Sequence, residues 1–253
     1  MARTPELVAH RGWASAYPEN TLESIAAAID AGLRFVEFDI QLSADEVPIL
    51  IHDETLDRTS GQPGCVMDMT WADLSRITVG ETGRLGEEHA DVLLPSLAQA
   101  RDLVAGRQGV TAFVEIKEES LSRFGVGRVL DRCMEPLDGI LHCCVITSFD
   151  DTVLEMAREK FGASIAWVLR TWDTDSLARA AALAPEFLFC NYKKLPDDLL
   201  SLPREKWEWV LYEVGDVELA LALHDRGANF IESMKAGELI RDQRISGAIA
   251  DGA

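Results

Sequence analysis

The chain has 253 residues, 47% of them hydrophobic and 26% charged, and its 24 Lys and Arg against 43 Asp and Glu give a formal charge of −19. Such a composition supplies an ordinary globular core, enough for one large α/β domain or two small ones. The charge argues against nucleic acid and against an anionic membrane surface as main partners, so an anionic ligand needs a locally positive site. Five cysteines, at 65, 133, 143, 144 and 190, form an odd count without a CxxC spacing. They read as reduced thiols in a cytoplasmic protein. The opening MARTPELVAHRG lacks the apolar run of a signal peptide, and no apolar run approaches the ~18 residues of a membrane span.

Short β-rich runs alternate with helical patterns along the whole chain. ELVAH (6–10) comes first, then the helical TLESIAAAIDAG, then FVEFDIQ (35–41). A hairpin follows, with its turn expected at 43–46. That turn would pair Leu42 with Val47 and set Glu37 opposite His52 on one face. Residues 53–95 read as an insertion over the mouth of the fold, with one short helix near TWADLSRI capped by Thr70 and Asp73. SLAQARDLVAG carries a Ser96/Gln99 capping box and a Gly stop. Six further strand runs follow: TAFVEIK (111–117), CCVITSF (143–149), SIAWVLR (164–170), FLFCNY (187–192), WVLYEV (209–214) and FIESM (230–234). The helical GRVLDRCME, DTVLEMAREKFG, DSLARAAAL and DVELALALHDRG fall between them. Eight strands separated by helices predict a single (β/α)8 TIM barrel over 1–253 with a small insertion after strand 2. A doubly wound open sheet is the alternative.

Side chains alternate along a strand, so Glu37 and Asp39 share one face while Val36, Phe38 and Ile40 take the other. In a barrel the first face points inward and reaches the mouth at the carboxyl end. TAFVEIK repeats the pattern with Glu115 and Lys117, and LVAHRG delivers His10 and Arg11. Each piece alone has a plainer reading, as a solvated sheet face or a turn residue. Their coincidence at strand ends points to one site. Three carboxylates suit one hard divalent cation, Mg²⁺ or Ca²⁺ with Mn²⁺ admitted, rather than zinc. His10 and His52 suit acid–base work, and Arg11 and Lys117 supply positive charge for a phosphate. The reaction class is metal-assisted phosphoryl transfer. Other polar groups have plainer readings: Lys193 and Lys194 in a solvated loop, Cys143 and Cys144 as core thiols, Trp207 and Trp209 as packing.

HRG at 10–12, PENT at 18–21, EFD at 37–39, HDETLDRT at 52–59, LPSL at 94–97, EIK at 115–117 and SF at 148–149 resemble, in order and spacing, the glycerophosphodiester phosphodiesterases. The resemblance implies a barrel enzyme that hydrolyses glycerophosphodiesters to sn-glycerol 3-phosphate and an alcohol. It implies Glu37, Asp39 and Glu115 as metal ligands, His10 and His52 as acid and base, and Arg11 and Lys117 as the phosphate grip. It also implies a cyclic phosphate formed by attack of the glycerol 2-hydroxyl. Glu19 is a further family position near the substrate; its plainer reading is the start of the first helix, with Asn20 as cap. The second half departs from the family: YEVG (212–215) and ESMK (232–235) stand where Trp-Thr-Val-Asn and Thr-Asp-x-Pro are usual. Tyr212 still suits stacking on the substrate, while Glu213 and Glu232 change the charge of that part of the mouth. The expected partner is a small-molecule substrate, with no nucleic acid and no stable membrane association. A lysophospholipase D-type activity on the same site, or a barrel that binds phosphodiesters without turnover, are the alternatives.

Overall fold

The computed structural model describes residues 4–246. Nine strands form one sheet: β1 Glu6–Ala9, β2 Phe35–Leu42, β3 Pro48–Leu50, β4 Thr111–Ile116, β5 Cys144–Ser148, β6 Ser164–Val168, β7 Phe187–Asn191, β8 Glu208–Tyr212 and β9 Phe230–Ser233. All but β3 run parallel, and β1 pairs with both β2 and β9, which closes eight strands into a (β/α)8 barrel. Each of the eight predicted strand runs supplies one barrel strand. Helices Leu22–Asp30, Leu97–Ala105, Val126–Leu137, Asp151–Phe161, Thr174–Leu183 and Val217–Asp225 occupy the six predicted helical stretches. Ser96 and Gln99 form the expected capping box, and Thr70 caps the short helix Trp71–Leu74. Among the described residues no helix is long and apolar enough to cross a membrane.

Alternation along the strands produces two cores. Val36, Phe38 and Ile40 of β2, with Ala112, Val114 and Ile116 of β4, face the surrounding helices in the larger one. Inside the barrel lie Val8, Phe113, Val145, Ala166, Val168, Phe189, Val210 and Phe230, with Phe35 and Phe187 against them. Edge-to-face contacts lock this plug: Phe35 on Phe230 at 4.9 Å, Phe113 on Phe187 at 5.0 Å and on Phe189 at 5.1 Å. On five of the strands the inward position two residues further along is polar. Val8 is followed by His10, Phe35 by Glu37 and then Asp39, Phe113 by Glu115 and then Lys117, Val210 by Tyr212, and Phe230 by Glu232. The aromatic plug is therefore the dry floor beneath a charged mouth.

The hairpin differs from the sequence expectation by one residue. Leu42 pairs with Pro48, not Val47, and the Asp39 carbonyl accepts from the Ile51 amide, so His52 leaves the ladder without facing Glu37 across it. A five-residue loop causes the shift: the Ser43 hydroxyl accepts from the Val47 amide at 2.9 Å, and Glu46 takes a left-handed φ of 61°. No glycine marks that position. Residues beyond the hairpin build a third cluster around Ile49, Ile51, Leu56, Val66, Leu74 and Leu94, beside the barrel and distinct from its core.

Phe113 is fully buried and touches three other rings. Phe113→Ala is expected to lower stability by about 3–5 kcal/mol, read from denaturant unfolding, with the helical circular dichroism of the folded state retained.

Candidate active site

His10, Arg11 and Gly12 leave β1 in a tight turn. The His10 amide donates to the Ser233 carbonyl at 3.2 Å, and Arg11 and Gly12 take left-handed φ angles of 57° and 75°. A Cβ on Gly12 would lie 2.4 Å from Ser24 Oγ and 2.6 Å from its carbonyl carbon, so only glycine fits there. The turn aims the Arg11 amide at Glu37 Oε2, 2.9 Å away, and the His10 Nε2 lies 3.9 Å from the same oxygen.

One oxygen from each of Glu37, Asp39 and Glu115 lies within 4.8 Å of the others. The register explains the meeting: Asp39 is directly beside Glu115, and both belong to the inward face. Two of the three carboxylates are held by the protein's own cations. Arg11 Nε is 3.2 Å and Lys117 Nζ 3.4 Å from Asp39, and Lys117 Nζ is 2.9 Å from Glu115. Glu37 keeps a buried Oε1 with no hydrogen-bond partner among the described residues. Burial, then the charges of Asp39, Glu232 and Glu115, push its carboxyl well above the usual range. Burial and Asp39 likewise raise Glu115, against the pull of Lys117. Asp39 goes the other way: burial opposes its charge, but Arg11, Lys117 and an Asn20 hydrogen bond overcome that and hold it ionised. An orphaned buried oxygen among three clustered carboxylates fits a hard divalent cation, which takes carboxylate oxygens and relieves their repulsion.

These groups open into a cavity of about 220 Å³ whose lining includes His10, Arg11, Asp39, His52, Glu115 and Lys117. Phe149, Phe189, Tyr212, Glu213 and Glu232 also line it. His10 is pushed down to about 3, chiefly by burial and then by the Arg11 charge, so its imidazole is neutral. His52 stands on the segment after β3, its ring Nδ1 2.7 Å from Asp53 Oδ1. Arg58 holds the other Asp53 oxygen at 2.7 Å and grips both oxygens of Glu19 at 2.7 and 2.8 Å. Glu19 in turn accepts from Arg11 Nη1 at 2.8 Å. A continuous line of alternating charge thus runs from Asp53, the partner of His52, to Asp39.

Nine side chains were expected in the site. Of these, Asp39, Glu115, His10, His52, Arg11, Lys117 and Tyr212 line the cavity, and Glu37 is buried directly behind His10 and Arg11. Glu19 does not line it. Two arginines draw it behind the wall, and Glu81 accepts from its backbone amide at 2.9 Å. Asn20 is not the helix cap either; Thr21 is, with Ser24 completing a capping box. Asn20, at φ 55°, instead donates from Nδ2 to Asp39 Oδ2 and accepts the Asp39 amide on Oδ1, both at 2.9 Å. Thr21 and Ser24 together form the sequence signal for the true cap, which frees Asn20 for this role. Asp53, Arg58 and Glu81 were also missed, since only folding shows that they back the site. Lys193 pairs with Glu213 and Lys194 with the Arg170 carbonyl, outside the cavity. The five cysteines are free thiols, and Trp207 and Trp209 pack on one another.

The family model for the Glycerophosphoryl diester phosphodiesterase family matches residues 10–231. The chain is 36% identical over 110 residues to "Glycerophosphodiester phosphodiesterase 1" of Mus musculus, a match covering 44% of this chain and 33% of that protein. It is 34% identical over 111 residues to a glycerophosphodiester phosphodiesterase of Caldanaerobacter subterraneus, covering 44% of each. The chain thus spans between a third and a half of the length of these curated relatives. Its fold is shared with an Oleispira antarctica phosphodiesterase solved with the product sn-glycerol-3-phosphate, at a TM-score of 0.81 and 22% identity, over 98% of this chain and 97% of that one.

Replacing Asn20 by Ala removes both bonds to Asp39 and leaves its buried amide unpaired. Divalent-ion affinity is expected to fall by about 10- to 100-fold, measured by titration calorimetry, while Asn20→Asp is expected to keep the amide bond and repel the Asp39 carboxylate.

Proposed function

As the chain belongs to the Glycerophosphoryl diester phosphodiesterase family, we propose that it hydrolyses soluble glycerophosphodiesters to sn-glycerol 3-phosphate and an alcohol in a reducing, cytoplasmic compartment. One observation carries this reading: a three-carboxylate cluster stands at a single cavity that also gathers two imidazoles, an arginine and a lysine. In this reading Glu37, Asp39 and Glu115 hold one divalent cation, with Mg²⁺, Ca²⁺ and Mn²⁺ all suited to the oxygen donors. When bound, the ion supplies positive charge to the phosphoryl oxygens.

Arg11 and Lys117 carry out the rest of the phosphate binding. Both are held fully protonated against burial by Asp39 and a neighbouring glutamate. Their planar and point-like charges suit two different phosphate oxygens. His10 is buried and neutral, which fits it to accept the proton of the glycerol 2-hydroxyl as that oxygen bonds to phosphorus. His52 is half-open to solvent, and Asp53 fixes its Nδ1 and leaves Nε2 for the substrate. It gives a proton to the departing alcohol oxygen as the bond from phosphorus to that oxygen breaks. Water then opens the cyclic phosphate with the two imidazoles in reversed roles, which returns both to their starting state. The Phe113 plug closes the site from below and keeps bulk water from that side.

His10→Ala and His52→Ala are each expected to lower turnover by about 10²- to 10⁴-fold with unchanged melting behaviour. The direct test is a panel of glycerophosphodiesters and lysophospholipids, each with and without added divalent ion, followed by phosphorus NMR. Ion-dependent release of sn-glycerol 3-phosphate is the expected result. Activity that survives exhaustive chelation, or parent rates in both histidine variants, would contradict the assignment.

A further inference from the structure

Glu232 is the fourth carboxylate of the mouth. It is 3% exposed, projects from β9 into the cavity, and its Oε1 has no hydrogen-bond partner among the described residues. Among the other atoms that share that condition are two of its neighbours: Oε1 of Glu37, on a residue 2% exposed, and Nδ1 of His10. One donor atom from each of His10, Glu37 and Glu232 lies within 4.8 Å of the other two. Each of the three residues thus keeps one buried polar atom without a bond, which is costly to a folded protein because that atom has lost water and gained nothing. The side chains of Arg11 and Lys117 bond or pair with Asp39, Glu19 and Glu115 instead, so the Arg11 charge acts on Glu37 and Glu232 without a side-chain bond to either.

We propose that His10, Glu37 and Glu232 form a second cation site, adjoining the all-oxygen site through Glu37, that takes a transition ion such as Zn²⁺ and thereby withdraws His10 from proton transfer. The donor chemistry separates the two sites. Glu37, Asp39 and Glu115 offer oxygen alone and suit hard ions, whereas one imidazole with two carboxylates is a zinc-type set that leaves a fourth position for water. Tetrahedral bonds of about 2.1 Å place ligand atoms about 3.4 Å apart, so the observed spacing needs an inward movement of about 1 Å. A carboxylate such as Glu37 has two oxygens and bridges ions about 3.5–4 Å apart without strain. Both His10 and Glu232 line the cavity, which gives the ion an open path. Metal binding takes the imidazole lone pair, the same pair that accepts the substrate proton. Zinc in this site therefore inhibits hydrolysis. That kinetic consequence rests on the phosphodiesterase reading, but the site itself does not.

The test is equilibrium dialysis of ⁶⁵Zn²⁺ against the full chain with Mg²⁺ saturating, together with nitrogen-15 NMR of the histidine rings. The parent is expected to bind one zinc that Glu232→Gln and His10→Gln each bind about tenfold or more weakly, and the His10 ring resonance is expected to move on zinc addition in the parent alone. Glu213→Gln, which removes a carboxylate of the same cavity already paired to Lys193, is expected to bind zinc like the parent. Two results would overturn the proposal: equal zinc binding by parent, Glu232→Gln and His10→Gln, or a His10 resonance indifferent to zinc. Because no substrate enters this experiment, a chain that bound zinc as described yet hydrolysed nothing would sink the phosphodiesterase reading and leave this site standing.

Discussion

Four carboxylates converge at one end of the barrel with two basic side chains among them. Glu37, Asp39 and Glu232 are buried and Glu115 is partly so, and Arg11 and Lys117 offset only half their charge. Burying unpaired charge is expensive, and the cost is not recovered by packing. Burial and the charges of their neighbours raise the carboxyls of Glu37, Glu115 and Glu232. A divalent ion among them would relieve that repulsion. The backing residues serve the same end. Asn20 fixes Asp39 through two bonds, and the line from Asp53 through Arg58, Glu19 and Arg11 to Asp39 alternates in sign at every step.

The barrel makes this concentration of charge affordable by separating it from the apolar interior along β1, β2, β4, β8 and β9. A step of two residues moves from a phenylalanine or valine in the plug to a histidine, glutamate or tyrosine in the mouth. Because period two is a property of any extended chain, this division was legible before folding. FVEFDIQ and TAFVEIK state it directly, with apolar residues outward and acids inward, and the order of strands and helices followed from the same patterns. That His10, Asp39, Glu115 and Lys117 would meet at one cavity was legible for the same reason: they stand in or just after strands of a fold that gathers strand ends.

Other features were not legible, and in each case the cause is a contact between distant segments or a backbone angle that no residue type announces. The hairpin slipped by one because Glu46 adopts a left-handed conformation without being glycine. Asn20 passed for a cap because the residue after it is the better cap, and its bonds go to Asp39, 19 residues away. Glu19 matched a pattern associated with the substrate, yet Arg11 and Arg58 hold it behind the wall as a brace. Glu232 stood out only as a departure in ESMK; its three-dimensional meaning came from lying beside His10 and Glu37.

The central claim is that the acids of β2 and β4 share one cation. Anomalous X-ray diffraction from crystals grown with Mn²⁺ tests it most directly. The account predicts a peak about 2.2 Å from an oxygen of each of Glu37, Asp39 and Glu115, abolished in crystals of the Glu37→Gln variant. Crystals with no anomalous density among these three side chains at saturating Mn²⁺, and with Lys117 still bridging Asp39 and Glu115, would contradict it.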